Sequence, residues 1–275
     1  KEEIEAALRT KGMGGFQLLD LHDFPGQGTA LVGVLDPFWD EKGYITAAEY
    51  RRFAGPTVPL ARLDARTFTT AQTLHADVEL AHFGAAPIAA KPVWTLRDAK
   101  GRTVREGRLP DLTAPVDNGI PLGAIDIPLA GLPAPAKYNL EVVLTGTDAA
   151  NDWDVWVYPE SAPDPAGVLI ATGLDPATRA KLLDGASVLL LPPAARIESR
   201  GIETGFTPVF WNTAWASGQK PETLGILCKP EHPVFAHFPT EFHQNWQWWE
   251  VLKGAKVLVL DDQPAHLRPL VQSID

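Results

Sequence analysis

The most informative segment of the sequence is Gly14-Gly15-Phe16-Gln17-Leu18-Leu19-Asp20-Leu21-His22-Asp23-Phe24-Pro25-Gly26-Gln27. Its three leucines lie in a short apolar run of the kind that buried parallel strands show. Glycine and proline follow at once, and they predict a loop. We therefore expect residues 16–22 to form a buried strand that carries Asp20, His22 and Asp23 at its carboxyl end.

Helices are predicted on both sides of this strand. In residues 1–10, Ile4 and Leu8 share one helical face, and Thr46 with Glu49 forms a capping box that starts a second helix over residues 47–53. Helix, strand, loop and helix is the rhythm of one repeat of a (β/α)8 barrel. Because a whole barrel needs about 200 residues or more, residues 1–59 are expected to be only its last repeat.

Two more domains are predicted by composition. Residues 60–158 contain short segments of alternating apolar and polar residues separated by turns, which is typical of an antiparallel, immunoglobulin-like β-sandwich. Residues 159–275 follow a proline-rich linker and contain continuous apolar runs at 168–172, 187–191 and 255–261, with a helix starting at Pro176. This pattern predicts a flavodoxin-like or amidotransferase-like α/β domain with a parallel sheet, either complete or truncated.

Composition excludes several classes of protein. A formal net charge of −10 argues against a surface that binds nucleic acid. No apolar run reaches the length of about 18 residues that a membrane span needs. The single cysteine, Cys228, excludes an internal disulfide and fits no zinc pattern. The sequence therefore predicts neither a metal site nor a cofactor.

Taken together, residues 1–158 resemble the C-terminal portion of a family 2, β-galactosidase-like glycoside hydrolase, in which a TIM barrel accompanies immunoglobulin-like sandwiches. Residues 15–20 resemble the eighth barrel strand, and Pro25-Gly26-Gln27-Gly28 with Trp39 resemble the loop that rims the sugar pocket. The resemblance implies retaining hydrolysis of an O-glycosyl bond by two glutamates, both of which would precede Lys1. Glu2, Glu3 and Glu5 are not substitutes, since they fall in a helical first turn where acidic residues favour the dipole.

Residues 159–275 resemble the class I glutamine amidotransferase-type α/β domain that is appended to some bacterial glycosidases. An active amidotransferase carries its nucleophile in a Gly-x-Cys-x-Gly elbow, whereas Cys228 stands in Leu227-Cys228-Lys229-Pro230 without flanking glycines. We therefore expect this domain to perform no glutaminase chemistry. An amidotransferase-like hydrolase that uses Cys228 is the third and weakest hypothesis.

Two groups of residues are candidates for binding. The first would contact a sugar through carboxylate, imidazole and amide groups and one aromatic ring: Asp20, His22, Asp23, Gln27 and Trp39. The alternative for this group is an Asp–His pair that satisfies loop amides, with Trp39 packed beneath a barrel helix. The second group, Trp246, Trp248 and Trp249, is a surface for sugar or a partner if it is exposed, and a core or domain interface if it is buried.

The leading hypothesis is therefore a C-terminal fragment of a retaining β-glycosidase, inactive by itself, whose parent acts on a carbohydrate substrate. The alternative is a non-catalytic module that binds carbohydrate or assembles through its tryptophans, as in a homo-oligomer. Nucleic acid and membrane are not expected partners. The resemblance also implies a periplasmic or secreted protein.

Overall fold

The computed structural model describes residues 1–26, 32–161, 166–197, 201–204, 225–264 and 266–274. The chain divides into two compact units, Lys1–Glu160 and Ser161–Asp275. It is mainly β-sheet with few helices, and its strands lie in several open sheets. Within the described ranges no sheet closes into a barrel, and a mixed α/β class is not confirmed.

The elements of the first unit are α1 (Glu2–Arg9), α2 (Ala47–Ala54), β1 (Thr57–Leu63), β2 (Thr67–Thr69), β3 (Thr73–His82), β4 (Ile88–Ala90), β5 (Pro92–Asp98), β6 (Thr103–Arg108), β7 (Leu112–Ala114), β8 (Asp117–Pro128), β9 (Ala136–Leu144) and β10 (Ala150–Tyr158). One sheet has the order β1-β3-β8, and a second has the order β2-β10-β9-β5-β6. All neighbours are antiparallel except β2 and β10, and β4 pairs with β7 alone.

Alternation of apolar and polar residues explains these strands. In β9, Tyr138, Leu140, Val142 and Leu144 are buried, and the residues between them are only partly covered. Side chains of both sheets, such as Ile125 of β8 and those of β9, contribute to one hydrophobic core. The strands predicted within residues 60–158 are present.

Buried polar contacts fix α1 to the sandwich. The fully buried carboxylate of Glu5 accepts hydrogen bonds from Asn151 Nδ2 at 2.8 Å and from Trp153 Nε1 at 3.0 Å. Asn118 of β8 donates from Nδ2 to the carbonyl oxygens of Leu8 at 2.9 Å and Thr10 at 2.7 Å, where α1 ends. Because these groups are buried and satisfied, the helix has a fixed position.

The helix α2 is anchored as well. Its predicted capping box is present: Thr46 accepts from the Glu49 amide, and the Glu49 carboxylate accepts from the Thr46 amide at 2.8 Å. Arg52 of α2 donates to Glu141 of β9 at 2.7 Å. The sandwich therefore holds both ends of the segment that joins the two helices, residues 10–46.

The predicted strand over residues 16–22 is wrong as a regular strand. Its pairing among the described residues is one parallel bridge, between His22 and Leu35. Asp20 has φ 62°, which lies outside the strand region, and Leu19 is 69% exposed. An apolar run forms a strand only when neighbouring strands supply hydrogen bonds, and here a single bridge takes their place.

The second unit contains one predicted strand–helix–strand motif and several antiparallel pairs. Its elements are β11 (Val168–Ala171), α3 (Pro176–Leu183), β12 (Ser187–Leu190), β13 (Gly201–Glu203), β14 (Gly225–Cys228), α4 (Trp249–Leu252), β15 (Lys256–Leu258) and β16 (Val271–Ile274). β11 and β12 are parallel, whereas β13 pairs with β15, and β14 with β16, in antiparallel fashion. The apolar run at 255–261 thus supplies an antiparallel strand instead of the expected third parallel one.

Candidate functional site

The site begins at the bridge between His22 and Leu35. The Asp23 amide donates to the Leu35 carbonyl at 3.0 Å, and the Leu35 amide donates to the Leu21 carbonyl at 3.0 Å. Gly33 lies directly against this pair, and a Cβ there would overlap the backbone of His22 and Asp23. A residue without a side chain is therefore needed for the two segments to approach.

Asp23 is the polar centre of the site. Its buried Oδ1 accepts from Lys42 Nζ at 2.6 Å and from the Gly33 amide at 2.8 Å. The hydrogen bond from Lys42 lowers the pKa of Asp23, and the Gly33 amide acts in the same direction against the opposing effect of burial. Asp23 is therefore an anion paired with the Lys42 ammonium at neutral pH.

A tight turn over residues 35–41, the Trp39 loop, presents two aromatic rings to solvent. The turn is closed by an antiparallel bridge between Leu35 and Glu41, and Asp36 Oδ1 accepts from the Phe38 amide at 2.8 Å and the Asp40 amide at 2.9 Å. Trp39 has φ 72° and is 59% exposed, and Phe38 is 82% exposed. A left-handed tryptophan costs about 1 kcal/mol or more. Such strain is common at binding sites.

Trp39 packs on His22. Their ring centroids are 4.5 Å apart, with the planes tilted by 47°. His22 Nδ1 lies 2.7 Å from the Asp23 carbonyl oxygen, and since that oxygen can only accept, Nδ1 carries the proton in this contact. The imidazole is thereby fixed between Asp23 and the indole. The result is a preformed aromatic platform, His22 and Trp39, beside the ion pair of the buried Asp23 with the partly exposed Lys42 side chain.

The structure brings together three of the five predicted sugar contacts. His22, Asp23 and Trp39 form the cluster described above, and Asp20 stands two residues before it, half-buried. Gln27 lies outside the described residues. The Asp23 carboxylate accepts hydrogen bonds from the Gly33 amide and from Lys42. This agrees with the alternative prediction, in which the carboxylate accepts hydrogen bonds from loop amides.

Two residues of the site, Gly33 and Lys42, are missing from the sequence-based prediction. Gly33 stands between two valines, a pattern that signals close backbone approach in an apolar segment. Lys42 follows Asp40 and Glu41, and such a run of charged residues is ordinarily interpreted as a solvent-exposed segment. The partner of Lys42 is 19 residues earlier in the chain, so local spacing does not reveal it.

A mainly apolar cleft of about 460 Å³ lies next to the bridge. It is lined by residues of the two bridged segments and of α2, among them Leu21, Leu35, Glu41, Tyr50 and Arg51. Burial raises the pKa of Tyr50, so its hydroxyl stays protonated. Arg51 is paired with Asp148 at 3.0 Å.

The tryptophans of the second unit have two different environments. Trp248 is buried, donates from Nε1 to Thr240 Oγ1 at 2.8 Å and packs against Phe238 with ring centroids 4.8 Å apart. Trp246 and Trp249 are each 38% exposed, with ring centroids 6.3 Å apart. Trp248 is thus a core residue, and the other two form a surface pair.

Cys228 has none of the features of a nucleophile. Its thiol is buried and donates to the Glu241 carbonyl oxygen at 3.0 Å. Burial raises the pKa of this thiol, which keeps it neutral at physiological pH.

Over the parts of the chain that the structure describes, no three His, Cys, Asp or Glu side chains are grouped so that they could hold a metal ion. Likewise, none of the described helices has the length and apolar character required to cross a membrane.

Comparison with protein families gives two matches. Residues 72–159 match a domain of unknown function (DUF8488), and residues 169–275 match another (DUF8487). Each match spans less than half of the chain. No curated protein matches the sequence.

Similar solved structures are distant. The CARDB domain of a Pyrococcus furiosus protein in complex with di-metal ions is 9% identical, over 38% of this chain and 94% of that one, with a TM-score of 0.28. A Listeria innocua β-glucosidase in complex with glucose is 11% identical, over 37% of this chain and 16% of that one, with a TM-score of 0.28. A glycosyl hydrolase family 2 member from Bacteroides cellulosilyticus is 15% identical, over 36% of this chain and 14% of that one, with a TM-score of 0.27. Likenesses at this level do not assign a family.

Proposed function

We propose that this chain is a supporting, sugar-contacting part of a carbohydrate-hydrolysing enzyme, a retaining β-glycosidase whose catalytic glutamates lie outside it. The observation that carries the proposal is the exposed indole of Trp39, which packs against His22 with ring centroids 4.5 Å apart. The apolar CH face of a pyranose packs well on an exposed indole face. Large exposed aromatic groups of this kind mark binding sites more often than scattered surface residues do.

The scaffold supports the same proposal. The segment that carries the platform is fixed at one end through Glu5 and Asn118 and at the other through Arg52. A platform that is already rigid loses little conformational entropy when a ligand binds. We therefore assign the sandwich the role of positioning residues 10–46.

The proposal is tested by titrating the chain with β-linked gluco-, galacto- and manno-oligosaccharides and following binding by NMR. We expect Trp39→Ala to weaken binding about tenfold, the equivalent of one lost aromatic contact. Phe38→Ala is the matched control, since this neighbouring ring is more exposed, and it should change the affinity by less than about twofold. Absence of binding to the unsubstituted chain, or equal losses in both variants, would contradict the proposal.

The enzymatic part of the proposal has its own test. The chain alone should release no aryl group from aryl galactoside, glucoside or mannoside, whereas a longer product of the same gene that carries upstream glutamates should do so. Activity of the chain alone would show that it contains catalytic residues, and His22 and Asp23 would then be the first to substitute. On the resemblance alone we also propose export to the periplasm or the medium, which cell fractionation tests.

A second candidate function rests on the surface pair of Trp246 and Trp249. Their exposure favours a module that binds carbohydrate or assembles into an oligomer through the second unit. Trp246→Ala with Trp249→Ala should then abolish sugar binding or self-association, and a chain that remains monomeric and binds sugar normally would remove this candidate. A hydrolase that uses Cys228 has no comparable support, because the thiol is buried and neutral.

A further inference from the structure

The charges around the aromatic platform are unbalanced. Residues 15–45 contain five acidic residues and a single basic one, Lys42. The acidic residues are Asp20, Asp23, Asp36, Asp40 and Glu41. A sugar that stacks on Trp39 therefore meets mainly negative charge.

The single ammonium group is already engaged. Lys42 Nζ lies 2.6 Å from Asp23 Oδ1, and the Asp23 side chain is 7% exposed. Binding of a sugar carboxylate normally depends on a cationic side chain that can pair with it. Since Asp23 neutralises Lys42, the pair offers no net positive charge to an acidic ligand.

The other carboxylates near Trp39 oppose an acidic ligand. Asp36 and Asp40 belong to the turn that presents the indole, and Glu41 closes that turn. Two charges of the same sign repel each other at physiological ionic strength when they lie within a Debye length of about 8 Å. Arg51, which lines the neighbouring cleft, is paired with Asp148 at 3.0 Å.

We propose that the Asp23–Lys42 ion pair determines the charge specificity of the site. By occupying Lys42, Asp23 restricts the platform to sugars without a negative charge and excludes uronic acids. This inference rests on the proposed sugar-binding function of Trp39.

The test compares methyl β-glucoside with methyl β-glucuronide, which differ in one carboxylate. NMR titration of the full chain at low and high salt should show binding of the glucoside about tenfold tighter than that of the glucuronide, with the difference shrinking as salt rises. Asp23→Asn keeps the shape of the side chain and removes the carboxylate charge that neutralises the Lys42 ammonium. In this variant the affinity for the glucuronide should rise about tenfold relative to the affinity for the glucoside.

Two further variants separate charge from structure. Asp40→Asn removes one negative charge and keeps both members of the Asp23–Lys42 pair, and it should raise glucuronide affinity less than Asp23→Asn does. The double variant Asp23→Asn with Lys42→Gln should lose the gain, because it carries neither charge of the pair. If Asp23→Asn binds neither glycoside, the double variant decides, because it leaves the pair without net charge: the ratio of the two affinities should stay as in the unsubstituted chain.

The outcomes for the two proposals are distinct. If neither glycoside binds to the unsubstituted chain, the proposed function itself fails. Two results would refute the charge specificity and leave the proposed sugar binding intact. In the first, both glycosides bind the unsubstituted chain equally; in the second, Asp23→Asn binds the glucoside but its affinity for the glucuronide does not rise. A lower glucuronide-to-glucoside ratio in the double variant than in the unsubstituted chain would likewise refute it, because Lys42 would then contribute to binding the acidic sugar.

Discussion

The sandwich and residues 10–46 belong to the same compact unit, yet they are stabilised in different ways. In the sandwich, residues such as Leu140 are fully buried between sheets. In the described parts of residues 10–46, Leu19 and Phe38 are largely exposed, and hydrogen bonds of Asp23, Asp36 and Gly33 hold the backbone locally. In strands with alternating apolar and polar residues, the pattern itself determines which face is buried against the other sheet. A short continuous apolar run lacks this pattern, and its conformation is determined by the polar contacts around it.

The largest effect is expected in the core of the sandwich. Leu140→Ala should lower the free energy of unfolding by about 4 kcal/mol, because it removes a fully buried side chain and leaves a cavity. Leu19→Ala makes the same chemical change at an exposed position and should cost less than about 0.5 kcal/mol. Urea unfolding of both variants measures the difference. Equal losses would mean that residues 10–46 contain a buried core of their own.

The next effect is expected where the two regions join. Glu5→Ala removes the acceptor for Asn151 and Trp153 and leaves these buried donors unsatisfied, at a cost of about 3 kcal/mol. Hydrogen exchange should show that α1 loses protection while β9 keeps it. The control is Glu3→Ala, an exposed residue of the same helix, which should have almost no effect. Uniform loss of protection across the sandwich would contradict the idea that Glu5 acts as an anchor of the helix.

A smaller and local effect is expected at the bridge. Gly33→Ala should destabilise the pairing of His22 with Leu35 by about 1–2 kcal/mol, because its methyl group overlaps the backbone of His22 and Asp23. Faster hydrogen exchange of the Asp23 and Leu35 amides would report this loss. Gly14→Ala is the matched control, since no atom lies near a Cβ at that position. Unchanged exchange in Gly33→Ala would show that the bridge tolerates a side chain.

The same comparison explains how far the sequence predicts the structure. β3 and β9 follow from alternation nearly residue for residue, because the pattern itself encodes which face is buried. The acidic residues in the first turn of α1 are predicted only as favourable charges for the helix dipole. One of them, Glu5, is instead a buried acceptor for residues more than 140 positions later, and such long-range pairing has no local signal.

The candidate site shows the same limit. His22, Asp23 and Trp39 are predicted from residue type and position, and they do lie together. Lys42 and Gly33 become part of the site only because two segments approach each other at one bridge. The run at 255–261 is a further case, since its apolar residues predict a strand but do not determine whether its neighbour is parallel.

The smallest effect is expected at the surface of the sandwich. His75 of β3 lies opposite Asp126 of β8, and its Nδ1 is 2.7 Å from the carboxylate. The hydrogen bond to Asp126 raises the pKa of His75 above its ordinary value of 6.5, and the charge of Asp77 adds to this shift. Because the pKa is higher in the folded state, the stabilisation is fully present below about pH 6.5 and is lost as the pH rises through the raised value.

Titration of His75 by NMR measures this last effect directly. Asp126→Asn should return the pKa of His75 toward its ordinary value and remove the associated pH dependence of the melting temperature. Asp77→Asn is the control, because Asp77 lies 3.7 Å from Nε2 and contributes by charge alone, so its removal should lower the pKa less. A pKa that is unchanged in Asp126→Asn would mean that the surface pair is not formed in solution. Since exposed ion pairs contribute little to stability, the variant should unfold almost as the unsubstituted chain does, in contrast to the variants at Leu140 and Glu5.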